Sequence, residues 1–198
     1  MPSFATFRQP DTKFAPSSSS LPPLKPQDLL KTWWVTTSTL PMWKSAKNIT
    51  ITYTPVPSSN YIDDIIHYNP RDSPPASEEG AKPTVKSIHG VDYPLSETPT
   101  DLSYKWRGKG WLFIATSRWQ VVGYGGRDVK EVDGVLEGVE WVLTFFEKSL
   151  FTPAGVDIMT VAKEGVDEET RKAIDEGLKG CGGTLEGLQP QMFEIPRD

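Results

Sequence analysis

Trp106-Arg107-Gly108-Lys109-Gly110-Trp111-Leu112-Phe113-Ile114-Ala115-Thr116-Ser117-Arg118-Trp119 holds three of the chain's seven tryptophans. Arg107-Gly108-Lys109-Gly110 has the glycines that a hairpin reversal needs, because glycine reaches positive φ without a Cβ clash. Residues 111–116 form an aromatic and β-branched run of the kind strands prefer. Ser117-Arg118 then turns the chain into Trp119-Gln120-Val121-Val122-Gly123-Tyr124. The stretch therefore predicts a three-strand meander over 102–107, 110–116 and 118–124, lined with indoles.

The same pattern extends outward on both sides. Upstream, Pro26-Gln27-Asp28-Leu29-Leu30-Lys31 reads as one helical turn, since proline is tolerated in a first turn. Strands are predicted at 32–40, 48–55, 61–68 and 84–93, the second with Ile49, Ile51 and Tyr53 alternating against threonines. Pro41-Met42-Trp43-Lys44 is a loop carrying an aromatic, a lid for one mouth of a barrel. Residues 69–83 and 125–134 read as loops. Downstream, 140–148 is a heavily aromatic strand and 156–162 a closing one. A helix over 166–178 has Asp167 as N-cap, Glu168 and Glu169 against the dipole, and Gly180 after its end. Residues 1–26, rich in Pro and Ser, read as a flexible tail, with docking of Phe4, Phe7 and Phe14 on the barrel as the alternative. The domain is drawn over 27–183, its helix reaching 179, with 184–198 as a C-terminal tail. Eight or nine antiparallel strands with hairpin connections and one late helix predict a mainly all-β, up-and-down barrel, whose closure removes exposed edges.

Composition narrows the function. The formal charge is −5, which argues against a nucleic-acid footprint. Hydrophobic residues make up only 37% of the chain but aromatics make up 11%, so a few large side chains must build the core. Each contributes roughly 1.5–3 kcal/mol when fully buried. One cysteine, Cys181, excludes an intrachain disulfide and favours a reducing compartment. Residues 1–20 lack the apolar core of a secretory signal, and no stretch approaches the ~18 apolar residues of a membrane span. The expected setting is cytoplasmic, without a membrane or nucleic-acid partner.

Leu30-Lys31-Thr32-Trp33-Trp34-Val35, after its helical turn, resembles the lipocalin and calycin opening, in which Gly-x-Trp starts the first strand and the Trp plugs the closed end. Here Trp33 matches that Trp and Lys31 stands at the glycine position. Arg107, Arg118 and Lys163 are the candidates for the basic residue that packs on the Trp in that family. The resemblance spans roughly 27–180 and implies a calycin-like, eight-stranded cup for a small apolar ligand, with a helix after the last barrel strand. The segments 106–119 and 151–158 are also similar to a fungal group of lipocalin-like proteins of unassigned role.

Two classes of function follow. One is binding of a small apolar, aromatic or polycyclic metabolite, with Trp34, Tyr53, Trp106, Trp111, Arg118, Trp119, Tyr124 and Trp141 as the wall and Arg118 as an anion or carbonyl clamp. The other is an enzyme on the same barrel, catalysing isomerisation, cyclisation or hydrolysis with Asp63, His67, His89 and Glu140 as acid–base groups. Asp63 and His67 share one face of their strand, and Ile62, Asp64, Ile66 and Tyr68 share the other. The Asp63/His67 face is the wetter one, which favours a solvated outer wall. His89 is placed to meet His67 across a pocket. Two histidines without cysteine make no zinc site, and no cofactor or metal is expected; a haem ligand at His67 or His89 is the minor alternative. Gly123-Tyr124-Gly125-Gly126 opens no helix and is no phosphate loop.

Overall fold

Period-two alternation carries the described chain into twelve strands, and their pairing closes a barrel. A computed structural model describes residues 4–10, 24–75, 77–96, 101–133, 135–149 and 152–198. In chain order the elements are β1 (Phe4–Phe7), α1 (Pro26–Leu29), β2 (Thr32–Ser38), β3 (Ala46–Pro55), β4 (Ile62–Pro70), β5 (Lys86–Pro94), β6 (Ser103–Gly108) and β7 (Thr116–Gly126). They are followed by β8 (Lys130–Val132), β9 (Val135–Glu137), β10 (Trp141–Phe146), β11 (Gly155–Thr160), α2 (Glu168–Cys181), α3 (Gly183–Leu188) and β12 (Phe193–Glu194).

The sheet runs β7-β10-β11-β2-β3-β4-β5-β6 and returns to β7, all antiparallel. This is the expected up-and-down barrel, with eight strands in the wall. Closure leaves none of those eight as a free edge. β1 adds to the lower half of β7 and β12 adds to β2, while β8 and β9 form a separate hairpin.

Two cores result. The lumen holds Trp33, Val35, Ile49, Ile51, Tyr53, Trp119, Val121 and Met159. A second core lies outside the wall, where Ile174 and Leu178 of α2 cover Trp141, Leu143, Phe145, Val156 and Ile158. Both faces of β10 and β11 are therefore dry. Asp167 caps α2 by accepting from the Thr170 amide at 2.8 Å. The helix runs one residue beyond Gly180, and Gly182, at φ 69°, supplies the left-handed end.

α1 seals one end. Leu24 and Leu29 are fully buried, and the Trp33 indole donates to the Leu29 carbonyl at 2.9 Å. Trp33 thus occupies the plug position that the resemblance implied. The free tail is corrected for residues 4–10: Phe4 to Phe7 pair with β7, and Phe7 lies 5.7 Å from the Trp141 ring. An added Cβ at Gly177 would come within 2.2 Å of the Phe7 ring, so glycine there lets α2 seat on it. Phe14 lies outside the described residues. The C-terminal tail carries α3 and packs as an extra extended segment, β12, against β2.

The middle strand of the opening meander is also corrected. Gly110–Leu112 is a 3₁₀ turn, and the segment folds back on itself through Gly108 N to Ala115 O (3.1 Å) and Ala115 N to Leu112 O (2.8 Å). Trp111, Phe113 and Ile114 are exposed by 83%, 58% and 71%. Strand propensity reflects packing on a pleated surface, and no neighbouring strand is left for this segment. β6 and β7 pair directly instead.

Candidate functional site

Opposite α1, the lumen opens into a cavity of about 220 Å³. Its walls are Ile51 and Tyr53 of β3, Asp64 and Ile66 of β4, Ile88 of β5, Trp106 of β6, Trp119 of β7, Phe146 of β10 and Asp157 of β11. The 3₁₀ turn Pro41–Ser45 closes over it with Met42 and Trp43, and Leu112, Ala115, Ser149 and Thr152 complete the mouth. The lid expected from Pro41-Met42-Trp43-Lys44 stands at that mouth, with Trp43 only 4% exposed.

The aromatic lining is stacked in series. Tyr53 lies 5.6 Å from Trp119 with ring planes 12° apart, and Tyr104 lies 4.8 Å from Trp119. Trp106 lies across Gly90, whose added Cβ would fall 2.2 Å from the indole nitrogen. Only a residue without a side chain leaves room for that ring against β5.

Three carboxyls sit inside this aromatic shell. Asp64 is 5% exposed, Asp157 1% and Asp92 0%. Asp92 lies beneath the cavity and accepts from the Trp119 indole at 2.7 Å. Asp157 accepts from the Trp43 indole at 3.3 Å. One oxygen of each carboxyl (Asp64 Oδ1, Asp92 Oδ2, Asp157 Oδ1) has no hydrogen-bond partner, nor do the Trp106 indole nitrogen and the Tyr104 hydroxyl. The Trp106 N–H and the Asp64 carboxyl exert a weak pull on each other without reaching hydrogen-bond geometry. No Lys, Arg or His is among the described lining residues.

Burial dominates the electrostatics. It pushes Asp92 and Asp157 up to about 7, against the pull of the Trp119 indole on Asp92 and of the Ser38 hydroxyl and the Trp43 indole on Asp157. Asp64 is raised well above the usual carboxylate range, first by burial and then by the Asp92 charge. Register explains that second effect: Asp64 pairs with Gly90 and Asp92 with Ile62, which makes them diagonal neighbours roughly 7–8 Å apart. Burial also raises the Tyr53 phenol, with Asp64, Asp92 and Asp157 all adding to the rise. Tyr53 is therefore the point where the three fields meet.

Of the residues expected in the wall, Tyr53, Trp106 and Trp119 line the cavity. The others stand elsewhere. Trp34 faces outward under the Lys163 ammonium, 5.6 Å from its ring, because Trp33 takes the inward position. Trp111 is on the exposed loop. Arg118 is exposed on the outer wall opposite Lys105, so it clamps nothing in the lumen. Tyr124 is buried in the main core outside the cavity lining, and Trp141 packs beneath α2.

The acid–base set expected at the cavity is likewise corrected in position. His67 is exposed, and Asp63 shares its outward face. His89 meets Asp63 rather than His67, with Nε2 to Oδ2 at 2.9 Å, and Lys109 joins the same carboxylate. Burial raises Asp63, but its bonds to Lys109 and His89 outweigh that and hold it below its usual value. This cluster lies on the outer wall. Glu140 pairs with Arg127 at 3.5 Å near the surface. Among the described residues no group of three or more His, Cys, Asp or Glu is arranged to hold a metal ion.

The inward carboxyls Asp92 and Asp157 were not expected. Asp64 carried a signal, since it alternates with Ile62, Ile66 and Tyr68 on an otherwise apolar face. Asp157 carried none, because both faces of its strand are apolar.

No protein-family model matches the chain, and no curated protein matches its sequence. Solved structures do match in shape. Lobster apocrustacyanin A1 superposes with a TM-score of 0.52 at 8% identity, over 87% of this chain and 79% of that one. Apocrustacyanin C1 gives a TM-score of 0.52 at 8% identity, over 86% of this chain and 78% of the other. Apocrustacyanin C2 gives the same values. At such identity the likeness is one of fold. The chain is a closed eight-stranded antiparallel barrel of the lipocalin-like kind, with two added strands and a C-terminal helix.

Proposed function

We propose that this protein binds a small apolar molecule with an aromatic ring in the lumen of its barrel. The observation that carries this reading is the 220 Å³ cavity walled by Tyr53, Trp106 and Trp119 and closed over by Trp43. Pockets for drug-sized ligands run from roughly 300 to 1,000 Å³, so this one suits one or two fused rings rather than a larger polycyclic body. Ring faces stacked on Trp119 and Tyr53 supply both apolar area and orientation. Isothermal titration with indole tests it. Saturable one-to-one binding is expected, and Ile88→Trp, which fills the lumen, removes it. Absence of saturable binding to the wild-type protein overturns the reading.

A second reading, an enzyme on the same barrel, is favoured by one observation: two buried carboxyls, Asp64 and Asp157, face the cavity with raised proton affinity. A protonated carboxyl in an apolar site is a competent general acid at neutral pH. In this reading the acid–base groups are Asp64 and Asp157, and isomerisation or cyclisation of a bound ring compound is the reaction class. Such an enzyme turns over less on Asp64→Asn while still binding its substrate; unchanged turnover removes this reading.

A further inference from the structure

Two other depressions are candidates for a site. A cleft of about 360 Å³ at the sealed end lies between α1 and the loops around Tyr61 and Ser96. A groove on the outer wall runs between Lys105, Arg118 and Lys148. Among the described residues the groove is lined by no side-chain polar atom that is both buried and unpartnered, and the cleft by one, the uncharged Tyr104 hydroxyl. The lumen is different, because two carboxyls that each hold such an oxygen, Asp64 and Asp157, are among its lining residues.

We infer that the natural ligand is a small aromatic amine, its ammonium group seated against Asp64 and its ring against Tyr53 and Trp119. This rests on the lumen reading above and specifies its chemistry. Asp64 and Asp157 each leave Oδ1 without a partner among the described residues, and no described lining residue is a cation that could neutralise them. A buried acceptor left unpaired is costly, and an ionised one far more so. A ligand that brings its own positive charge and two or three N–H donors removes both costs. A carboxylate or phosphate ligand would add to the repulsion. A neutral alcohol has a single donor and no charge.

The aromatic shell favours the same chemistry. An ammonium held within about 6 Å of Tyr or Trp faces is attracted by their quadrupoles, most strongly when desolvated. Tyr53 lies within the fields of both carboxyls and stacks on Trp119, so one ring-bearing amine spans the acidic and aromatic sides of the cavity. The groups that act on these carboxyls are Asp92, Asp63, Trp106 and Tyr53 for Asp64, and Ser38, Trp43 and Tyr53 for Asp157. None of them supplies a positive charge.

The test compares 2-phenylethylamine, 2-phenylethanol and phenylacetate, which share one ring and nearly one volume, by isothermal titration of the wild-type protein at about pH 8. The amine is expected to bind at least about tenfold more tightly than the alcohol, and phenylacetate more weakly than either. Asp64→Asn, nearly isosteric, should erase the preference of the amine over the alcohol. The wild-type comparison needs no variant, so a folding defect in it cannot mask the outcome. Equal affinities for amine and alcohol overturn the inference but leave a ligand-binding lumen standing. Tighter binding of phenylacetate overturns it too. No binding of any of the three, nor of indole, overturns both.

Discussion

Replacing Asp157 with asparagine should change stability in a strongly pH-dependent way. Asp157 is 1% exposed, and burial raises its carboxyl from 3.8 to about 7. In the unfolded chain the same group titrates near its ordinary value. Below about pH 4 both states are protonated, and the carboxyl's ionisation costs nothing. Between about pH 4 and 7 the unfolded state is ionised while the native state holds its proton, so stability falls as pH rises. Above about pH 7 the penalty is complete; at about 1.4 kcal/mol per pH unit it amounts to roughly 4 kcal/mol. Asparagine keeps an oxygen for the Trp43 indole, which now donates to Asp157 at 3.3 Å, and never ionises. The variant should therefore gain roughly 4 kcal/mol relative to wild type between about pH 4 and pH 8, or roughly 8–16 °C in Tm for a domain of this size. Urea unfolding followed by circular dichroism across that range measures it. A difference between the two proteins that stays flat with pH, or grows in the opposite direction, refutes a buried, uncompensated carboxyl at this position.

Other substitutions probe the frame around the cavity. Gly90→Ala drives a methyl into the Trp106 ring and should cost about 1–3 kcal/mol, with a shifted tryptophan emission as the ring moves. Trp33→Ala opens the sealed end and loses the bond to Leu29; unfolding experiments should show a loss of about 3–5 kcal/mol. Trp111→Ser, at 83% exposure, should stay within about 0.5 kcal/mol of wild type and leave indole affinity unchanged. His67→Ala and His89→Ala should likewise leave ligand titrations unaltered, since both side chains stand on the outer wall.

The barrel was legible because its strands on the free side of the wall have one wet and one dry face. β3 and β4 alternate cleanly, and the alternation already placed Asp64 with Ile62, Ile66 and Tyr68 on the face that turns inward. The closing helix and Trp33 followed from capping residues and from the resemblance at the first strand. Legibility failed where both faces are dry. β10 and β11 are covered by α2 outside and by the lumen inside, so period two no longer reports direction. Period two therefore cannot tell that Trp141 packs beneath α2 or that Asp157 turns to the lumen. The loop after β6 failed differently: Trp111, Phe113 and Ile114 look like a strand by composition, yet β6 and β7 pair directly and leave the segment no partner. Histidine and arginine are the reactive types that a sequence displays most openly, while the titratable groups lining the lumen are aspartates, whose burial no short motif announces.

The tryptophan indole N–H signals offer the most direct test of a ligand-binding lumen, because each of the seven reports its own surroundings. In a ¹⁵N-labelled sample titrated with unlabelled indole, the signals of Trp43, Trp106 and Trp119 should shift together and saturate, while those of Trp34 and Trp111 remain in place. Shifts confined to Trp34 and Trp111, or no shift at any of the seven, would contradict binding in the barrel.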